Sequence, residues 1–146
     1  MKRHPALAQL SREHHLALVF AKRLRCVSDD DLDALTRLVA EVRQIFARDL
    51  EPHFLLEEQH LLPALLACGE QAAVEQTLEE HAALRSRARQ SDINARENLH
   101  RFGDALAEHV RFEERVLFPL AESVLGEAAL KVAWLAMEGR ASPARE

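Results

Sequence analysis

One short pattern occurs twice in this chain and constrains its fold more than any other feature. Residues 53–63 read HFLLEEQHLLP and residues 109–119 read HVRFEERVLFP, with five identities at a constant offset of 56. Each copy places a histidine and a glutamate four residues apart, which puts both side chains on one face of an α-helix. The repeat therefore predicts two helices that present the same pair of side chains. Paired helices of a bundle also converge on similar patterns, so the repeat alone does not assign a function.

The amino-acid composition favours an all-helical domain. Leucine and alanine account for 24 residues each, against nine valines, two isoleucines and no tyrosine, and both glycine and proline are scarce. This composition is rich in helix formers and poor in residues that build strands and turns. A chain of 146 residues is about one domain long. We therefore expect a single domain over residues 1–139 and a frayed tail at 140–146.

The charge and hydropathy of the chain argue against several functional classes. The formal charge is −5 and both signs are interspersed, so no basic face would follow nucleic acid or an anionic membrane. The longest uncharged stretches, such as residues 60–69, are half as long as a membrane span. Cys26 and Cys68 fit no zinc spacing, and we expect buried or half-buried thiols near helix ends. We therefore expect a cytoplasmic protein that binds neither nucleic acid nor membranes.

Helix-capping residues predict five helices. Pro5 suits the first turn of helix 1, Ser28 with the three aspartates at 29–31 caps helix 2, and Gly69 ends helix 2. Ser91 and Asp92 cap helix 4. The predicted helices run from about 5 to 26, from the cap at 28–31 to 68, from 70 to 90, from the cap at 91–92 to 125, and from 127 to 138.

Two features predict irregularities in helix 2. Pro52 and Pro63 lie inside it, so we expect a bend or local break near Pro52 and a looser last turn after Pro63. The interval from His14 to His53 is 39 residues, longer than the 28-residue intervals between the later histidines. We therefore expect an extra helical segment, or an overhang of helix 2, around residues 30–42.

Histidines recur at a spacing that brings them to one level of a helical bundle. His53, His81 and His109 lie 28 residues apart. If the chain follows one helix for half of each interval and returns along the next helix for the other half, the three histidines lie at the same height in the bundle. His14 belongs to the apolar stripe of helix 1, where a lone histidine is a poor choice for a core. The expected fold is an all-α, up-down-up-down four-helix bundle with a short C-terminal fifth helix.

The predicted layer combines these four imidazoles with the carboxylates of Glu57 and Glu113. In isolation, a buried histidine is usually a hydrogen-bonded core residue, and a His-Glu pair at this spacing is usually a surface contact. Burying all six groups together carries a large desolvation cost, which a cation offsets. The pattern therefore favours a metal centre. Imidazole and carboxylate ligands without a thiolate suit iron, manganese or zinc.

At these residues the sequence resembles the hemerythrin-like (HHE cation-binding) family. The resemblance covers roughly residues 7–125, is strongest in the two copies of the repeat, and is supported by REHH at 12–15 and EHAAL at 80–84. It implies a four-helix bundle with two iron ions joined by an oxo or hydroxo bridge, a centre that binds dioxygen. It also implies, for some members, a response to oxygen, nitric oxide or iron.

The resemblance implies that individual residues act as terminal ligands or as bridging carboxylates. The matching terminal ligands are His53, His81 and His109, and the matching bridging carboxylates are Glu57 and Glu113. The first helix supplies one more ligand, which is His14 or His15. We favour His14, because it follows an acidic residue and shares the face of the apolar stripe.

The sequence departs from the oxygen carriers that it resembles. Those carriers have a second histidine on the third helix, whereas Thr77 and Arg85 stand four residues from His81 here. The fourth-helix glutamate also follows its histidine by four residues rather than five. We therefore expect a more open, solvent-coordinated centre, which oxidises quickly on exposure to oxygen instead of carrying it reversibly.

Three polar neighbours of the predicted ligands are assigned lesser roles. His60 lies seven residues after His53, and we favour packing or support of the centre over direct ligation. We interpret Glu58 and Glu114 as solvated or helix-flanking charges.

The favoured function is the binding of oxygen or a related small diatomic ligand at a two-iron site, for storage, detoxification or sensing. A di-iron enzyme that reduces peroxide or nitric oxide is the second candidate. A regulatory interaction module whose surface responds to its metal is the third.

Overall fold

A computed structural model of the chain describes residues 3–28, 31–90 and 95–141. Every regular element in these ranges is helical, and they form the five successive helices that the sequence predicts. The helices are α1 (Pro5–Arg25), α2 (32–67), α3 (Gln71–Ala88), α4 (95–124) and α5 (Glu127–Ala141). Their bounds agree with the predicted ones to within a few residues.

Some predicted terminal features fall at the edges of the described ranges. The caps at 29–30 and 91–92 and the tail residues 142–146 lie outside the described residues. Residues 140 and 141, expected to belong to the tail, instead continue α5.

Local hydrogen bonds explain where helices begin and end. The His4 imidazole accepts a bond from the backbone N–H of Ala6 at the start of α1, and the Asp31 carboxylate accepts one from Ala34 at the start of α2. After α2, backbone N–H groups bond back to carbonyls of its last turn, and Gly69 has a φ of +84°. Only glycine adopts that conformation without strain, so Gly69 ends the helix.

Helices α2 and α4 are continuous but contain π-helical turns. The successive parts of α2 are Leu32–Ile45, the π turn Phe46–Leu50, Glu51–Leu56, the π turn Glu57–Leu61, and Leu62–Ala67. The parts of α4 are Ala95–Phe112, the π turn Glu113–Leu117, and Phe118–Val124. Each π turn ends two residues before a proline.

The prolines explain these turns. In an α-helix a proline lacks its N–H, and its ring clashes with the carbonyl four residues earlier. For Pro52, Pro63 and Pro119 that carbonyl lies within the π turn, and the residue before each proline donates its N–H to the carbonyl five residues back. The irregularity predicted near Pro52 is thus a π turn within a continuous helix. The predicted looser turn after Pro63 is wrong, since Leu62–Ala67 is regular α-helix and the irregular turn comes before the proline.

The apolar core consists of two clusters with a polar layer between them along the helices. One cluster lies where the second half of α1 meets the first half of α4, around residues such as Leu24 and Phe102. The other lies beyond the polar layer, around Leu7 and Phe118, and α5 packs against it. The buried polar and charged side chains come from the helical turns between these two clusters.

The first turns of α2 account for the long interval between His14 and His53. These turns are helical from Leu32 onward, and Leu35 and Val42 pack in the first core cluster with residues of α4. The predicted overhang of helix 2 is therefore confirmed. The apolar face of these first turns adds to the core, while His53 still lies at the height of the polar layer.

Helices α1 and α4 approach each other closely at Gly103. A Cβ atom at this position would lie 2.8 Å from the backbone oxygen of Ala21, 2.8 Å from Cγ of Arg25 and 3.2 Å from Cβ of Leu24. The backbone of Ala21 cannot give way as the end of a flexible side chain would. A side chain at residue 103 would therefore push the two helices apart.

Gly103→Ala is expected to destabilise the fold by about 1–3 kcal/mol, because steric overlap outweighs a gain of roughly 1 kcal/mol in helix propensity. Gly139→Ala in α5 is the matched control, since a Cβ atom there meets nothing within 4 Å. We expect the control to gain about 0.5–1 kcal/mol. Urea unfolding measures both values. A Gly103→Ala protein as stable as the control would contradict the close approach of α1 and α4.

Two sequence expectations concern the surface. None of the described helices is both long enough and apolar enough to cross a membrane. Cys26 and Cys68 are free and exposed, so the prediction of buried or half-buried thiols is wrong. Each follows the last residue of a helix, where the chain turns at the surface.

Candidate metal centre

Six buried side chains meet in the layer between the two apolar clusters. Four are imidazoles, one from each of α1 to α4, and two are carboxylates, one from α2 and one from α4. They are His14, His53, His81, His109, Glu57 and Glu113, and none is more than 5% exposed. Their ligand-type atoms form two overlapping groups of four, within which all atoms lie within 4.8 Å of one another. Both carboxylates belong to both groups.

The histidines divide into an α1–α2 pair, His14 and His53, and an α3–α4 pair, His81 and His109. Glu57 faces both pairs with different oxygens. Its Oε2 lies 3.2 Å from Nε2 of His53, and its Oε1 lies 3.1 Å from Nε2 of His81. One carboxylate thus contributes to both ligand groups.

Glu113 repeats this arrangement from α4. Its Oε1 lies 2.7 Å from Nε2 of His14, and its Oε2 lies 3.1 Å from Nε2 of His109. Each of the two carboxylates therefore has one oxygen toward either histidine pair.

Several polar atoms of the layer are buried without a hydrogen-bond partner among the described residues. They are both carboxylate oxygens of Glu57, Oε2 of Glu113, and Nε2 of His81 and His109. These atoms approach one another to 3.1–3.4 Å but are not aligned as hydrogen bonds. Unpaired buried polar atoms carry a desolvation cost, which a shared cation removes. The donor set of imidazole nitrogens and carboxylate oxygens therefore fits a metal ion.

Opposite charges attract one another within the layer. Burial alone would lower the pKa of His81, but the carboxylates of Glu113 and Glu57 raise it to about 9. Burial also opposes the charge on His109, yet Glu113 and Glu80 raise its pKa to about 10. Burial alone would raise the pKa of Glu113, but the charge of His109 and its other contacts hold it well below its usual range. A metal ion that binds here must displace protons from the imidazoles.

Four further glutamates, which we call the outer carboxylates, surround the six side chains. Each contacts Nδ1 of one histidine at 2.7–2.8 Å. The pairs are His14 with Glu114, His53 with Glu13, His81 with Glu58, and His109 with Glu80. A bond that Nδ1–H donates to a carboxylate leaves Nε2 facing inward as the ligand atom and fixes the orientation of the ring.

Each outer bond joins two different helices. The carboxylate of α1 binds the histidine of α2, that of α2 binds the histidine of α3, that of α3 binds the histidine of α4, and that of α4 binds the histidine of α1. The four bonds therefore close a ring around the layer. The ring fixes the relative positions of all four helices at the level of the ligands.

Arginine side chains support the outer carboxylates of α2 and α4. Nη1 of Arg85 lies 2.9 Å from Glu58, and the same guanidinium also binds Glu51. Arg3 lies 3.2 Å from Glu114. Burial opposes the charge on Glu114, but its contacts with His14 and Ser11, and to a smaller extent Arg3, lower its pKa to about 2.

An amide supports each outer carboxylate of α1 and α3. Gln9 donates to Glu13 and Gln76 donates to Glu80, in both cases at 2.9 Å. The pattern Gln-x-x-x-Glu-His therefore occurs at 9–14 and at 76–81, an offset of 67. Together with the repeat on α2 and α4, this second repeat gives the centre an approximate twofold symmetry.

The outer carboxylates are the functional residues that sequence reasoning missed. Glu58 and Glu114 were expected to be solvated or helix-flanking, which is wrong because each accepts a bond from a buried histidine. The signal lies in the dipeptides Glu-His and Glu-Glu, since every outer carboxylate adjoins an inner residue in sequence. A helix turns about 100° per residue, so the neighbour of an inward side chain faces the adjacent helix.

The remaining predicted positions lie outside the ligand groups. The structure brings His14 into the layer, whereas His15 is exposed, and His60 is half-buried and belongs to neither group. Thr77 is buried but donates its hydroxyl to the carbonyl of Ala73 at 2.8 Å. The third helix thus contributes one imidazole to the centre.

Comparison with known proteins bears on this geometry. The family model described as the hemerythrin HHE cation binding domain matches residues 6–121. This chain belongs to the hemerythrin HHE cation-binding family. No curated protein and no solved structure gives a significant match.

The hemerythrin HHE match and the site agree in position. The matched residues begin in the first turn of α1 and end in α4, so they contain all six inner side chains and the four outer carboxylates. Helix α5 lies after the match and packs against the second core cluster through Leu130, Ala133 and Met137. The hemerythrin HHE domain and its buried histidine and glutamate clusters fit metal binding.

Proposed function

We propose that this hemerythrin HHE domain holds two iron ions and binds oxygen or a related small diatomic ligand, for storage, detoxification or sensing. The observation that carries the proposal is the arrangement of Glu57 and Glu113, each of which faces both histidine pairs with separate oxygens. A single ion would use one pair and leave the other pair of imidazoles with no counterpart. Two ions use all six side chains.

The number of protein ligands supports an open centre. Each proposed position receives two imidazole nitrogens and two carboxylate oxygens. The third helix adds neither Thr77, which bonds to Ala73, nor Arg85, which bonds to Glu51 and Glu58. Ferrous ions bound here would supply electrons and free coordination positions for a diatomic ligand.

The contacts between helices support the up-down-up-down connectivity of the bundle. Arg3, two residues before α1, pairs with Glu122 of α4, and Arg25 of α1 pairs with Asp104 of α4. Residue numbers therefore rise along α1 as they fall along α4. The pairs His53 with Glu13 and Arg23 with Glu41 relate α1 and α2 in the same way. We propose that α3 is likewise antiparallel to α2 and that α4 is antiparallel to α3.

Aromatic rings and outer carboxylates prepare the imidazoles before any ligand arrives. The ring of Phe54 stacks on His81 with centroids 3.9 Å apart, and Phe118 stacks on His14 at 5.2 Å. These rings exclude water from the faces of the imidazoles, while the outer bonds fix which nitrogen faces inward. The chain therefore holds the ligand atoms in place at no further ordering cost.

The proposed ligand class is tested by adding nitric oxide anaerobically to protein loaded with ferrous iron and following the optical spectrum. We expect saturable spectral changes that are lost or halved in His14→Ala and preserved in His15→Ala, since only His14 lies in the centre. No spectral change in the iron-loaded protein would contradict the proposal. Multiple turnovers of nitric oxide or peroxide would instead assign the centre to an enzyme.

We also propose that oxygen oxidises the ferrous centre quickly rather than being carried reversibly, because the protein ligands leave coordination positions open. Stopped-flow absorbance after mixing with oxygen measures this. Recovery of the colourless ferrous state under vacuum would contradict it. A cytoplasmic location is part of the proposal, since the exposed thiols of Cys26 and Cys68 suit a reducing compartment.

A further inference from the structure

A cavity of about 440 Å³ is lined by α1, α2 and α4 and lies beside the candidate metal centre. Its lining includes Leu16 and Val19 of α1, which are 69% and 51% exposed, so its rim is at the surface. Its lining also includes His14, His53 and His109. The cavity therefore reaches from the protein surface to three of the four imidazoles.

The walls of the cavity are mostly apolar. The buried side chains that line it between the rim and the imidazoles are Ala17, Phe20, Leu50, Phe54, Leu106 and Val110. Arginines at the rim are already paired, Arg23 with Glu41 and Arg48 with Asp49, each at 2.8 Å. A route of this kind admits uncharged apolar molecules, whereas ions and strongly hydrated molecules lose hydration that the walls do not replace.

Comparing α1 with its twofold-related helix α3 identifies the residue that leaves this space open. The offset of 67 that relates His14 to His81 also relates Ala17 to Leu84. Leu84 is only 1% exposed and fills its position in the first core cluster. Alanine at residue 17 lacks three side-chain carbon atoms that its counterpart has, so the symmetry is broken on the side where the cavity lies.

We infer that this cavity is a binding chamber for small uncharged apolar molecules, kept open by Ala17, through which such molecules reach the metal centre from the α1–α2 side. Binding in the chamber depends only on the apolar walls, so it is a property of the metal-free protein too. Delivery to the centre rests on the proposed function. The two parts are therefore tested separately.

Xenon is the probe for the chamber, because apolar cavities in proteins bind it. We expect metal-free protein to shift the xenon NMR signal in a saturable way, and Ala17→Leu to weaken this binding at least tenfold. Ala83→Leu is the matched control, since Ala83 is exposed on α3 and lies outside the cavity lining. Equal xenon binding by wild type and Ala17→Leu would contradict the proposal that this cavity is a binding chamber.

Ala17→Val keeps the test decisive if leucine prevents folding, because it adds only two carbon atoms. We expect it to weaken xenon binding less than leucine does, while far-UV circular dichroism stays as in wild type. An unchanged xenon response in folded Ala17→Val would also overturn the chamber.

Delivery through the chamber to the metal centre is tested by measuring the association rate of nitric oxide with iron-loaded protein. We expect Ala17→Leu, or Ala17→Val if leucine does not fold, to slow association at least threefold with unchanged iron content. An unchanged rate would overturn delivery through the chamber. Failure of wild-type protein to bind iron would instead contradict the proposed function and leave the xenon result standing.

Discussion

Glu113→Ala is expected to abolish tight metal binding at both positions of the proposed two-iron centre. Glu113 places one oxygen toward His14 and the other toward His109, so its removal takes a ligand from each position at once. Loss of a residue that only supports a ligand typically costs about 10–100-fold in affinity, and the loss of a shared ligand exceeds this. Isothermal titration with ferrous iron under anaerobic conditions measures both positions.

Two comparisons make the Glu113 result specific. His109→Ala removes a ligand from the α3–α4 pair alone, so we expect one ion to be retained by the α1–α2 pair. Glu108→Ala removes an exposed charge from the same turn of α4 and is expected to leave both ions in place. Two ions bound by Glu113→Ala with wild-type affinity would contradict the assignment of a bridging carboxylate.

Glu113→Ala also removes charge compensation from the metal-free fold. Glu57 would then be the one inner carboxylate facing four imidazoles, and breaking a buried ion pair from one side typically costs about 3–5 kcal/mol. We therefore expect a lower thermal midpoint for the metal-free variant than for Glu108→Ala.

The second large effect concerns pH. The pKa values of His81 and His109 in the folded protein are about 9 and about 10, above the ordinary value of 6.5. A group whose pKa is raised by folding stabilises the fold fully below its unfolded pKa, and the contribution is lost as pH rises through the folded pKa. We therefore expect metal-free protein to lose stability between pH 6.5 and about 10.

The carboxylates set the acid limit of the same stability profile. The pKa of Glu113 lies well below its usual value of 4.5, and that of Glu114 is about 2. Their contribution is present above 4.5 and is lost as pH falls through the lowered values. Maximal stability of the metal-free protein is thus expected between pH 4.5 and 6.5.

Metal binding is expected to reverse the alkaline trend. A metal replaces the proton on each inward Nε2, so affinity rises with pH and binding releases protons. Scanning calorimetry across the pH range measures the metal-free profile, and titration in buffers of different ionisation enthalpy counts the protons. A metal-free thermal midpoint that rises from pH 7 to 10, or metal affinity independent of pH, would contradict the charge balance of the layer.

The sequence predicts the helices and the inner side chains well, because both depend on local periodicity. Caps and glycines fix helix ends within a few residues, and the spacing of His53, His81 and His109 predicts one level in a bundle. The choice between His14 and His15 depends on about 100° of rotation around α1, which the apolar stripe only partly fixes. Packing places His14 in the layer and leaves His15 exposed.

The outer carboxylates and the cavity depend on packing between helices, which a linear pattern does not encode. Glu13 adjoins His14 in sequence, but its carboxylate binds His53 on the neighbouring helix, 40 residues away. The cavity beside Ala17 likewise lies where side chains of α1, α2 and α4 meet, residues far apart in the sequence. Both features become readable in the sequence once the twofold relation of the helices is known.

The central claim is that the two carboxylates are shared between two metal ions. Anaerobic titration of metal-free protein with ferrous iron, followed by gel filtration and elemental analysis, tests this most directly. The proposed arrangement predicts two irons per chain for wild type and fewer than one tightly bound iron for both Glu57→Ala and Glu113→Ala. Saturation at one iron, or binding indifferent to both substitutions, would contradict it.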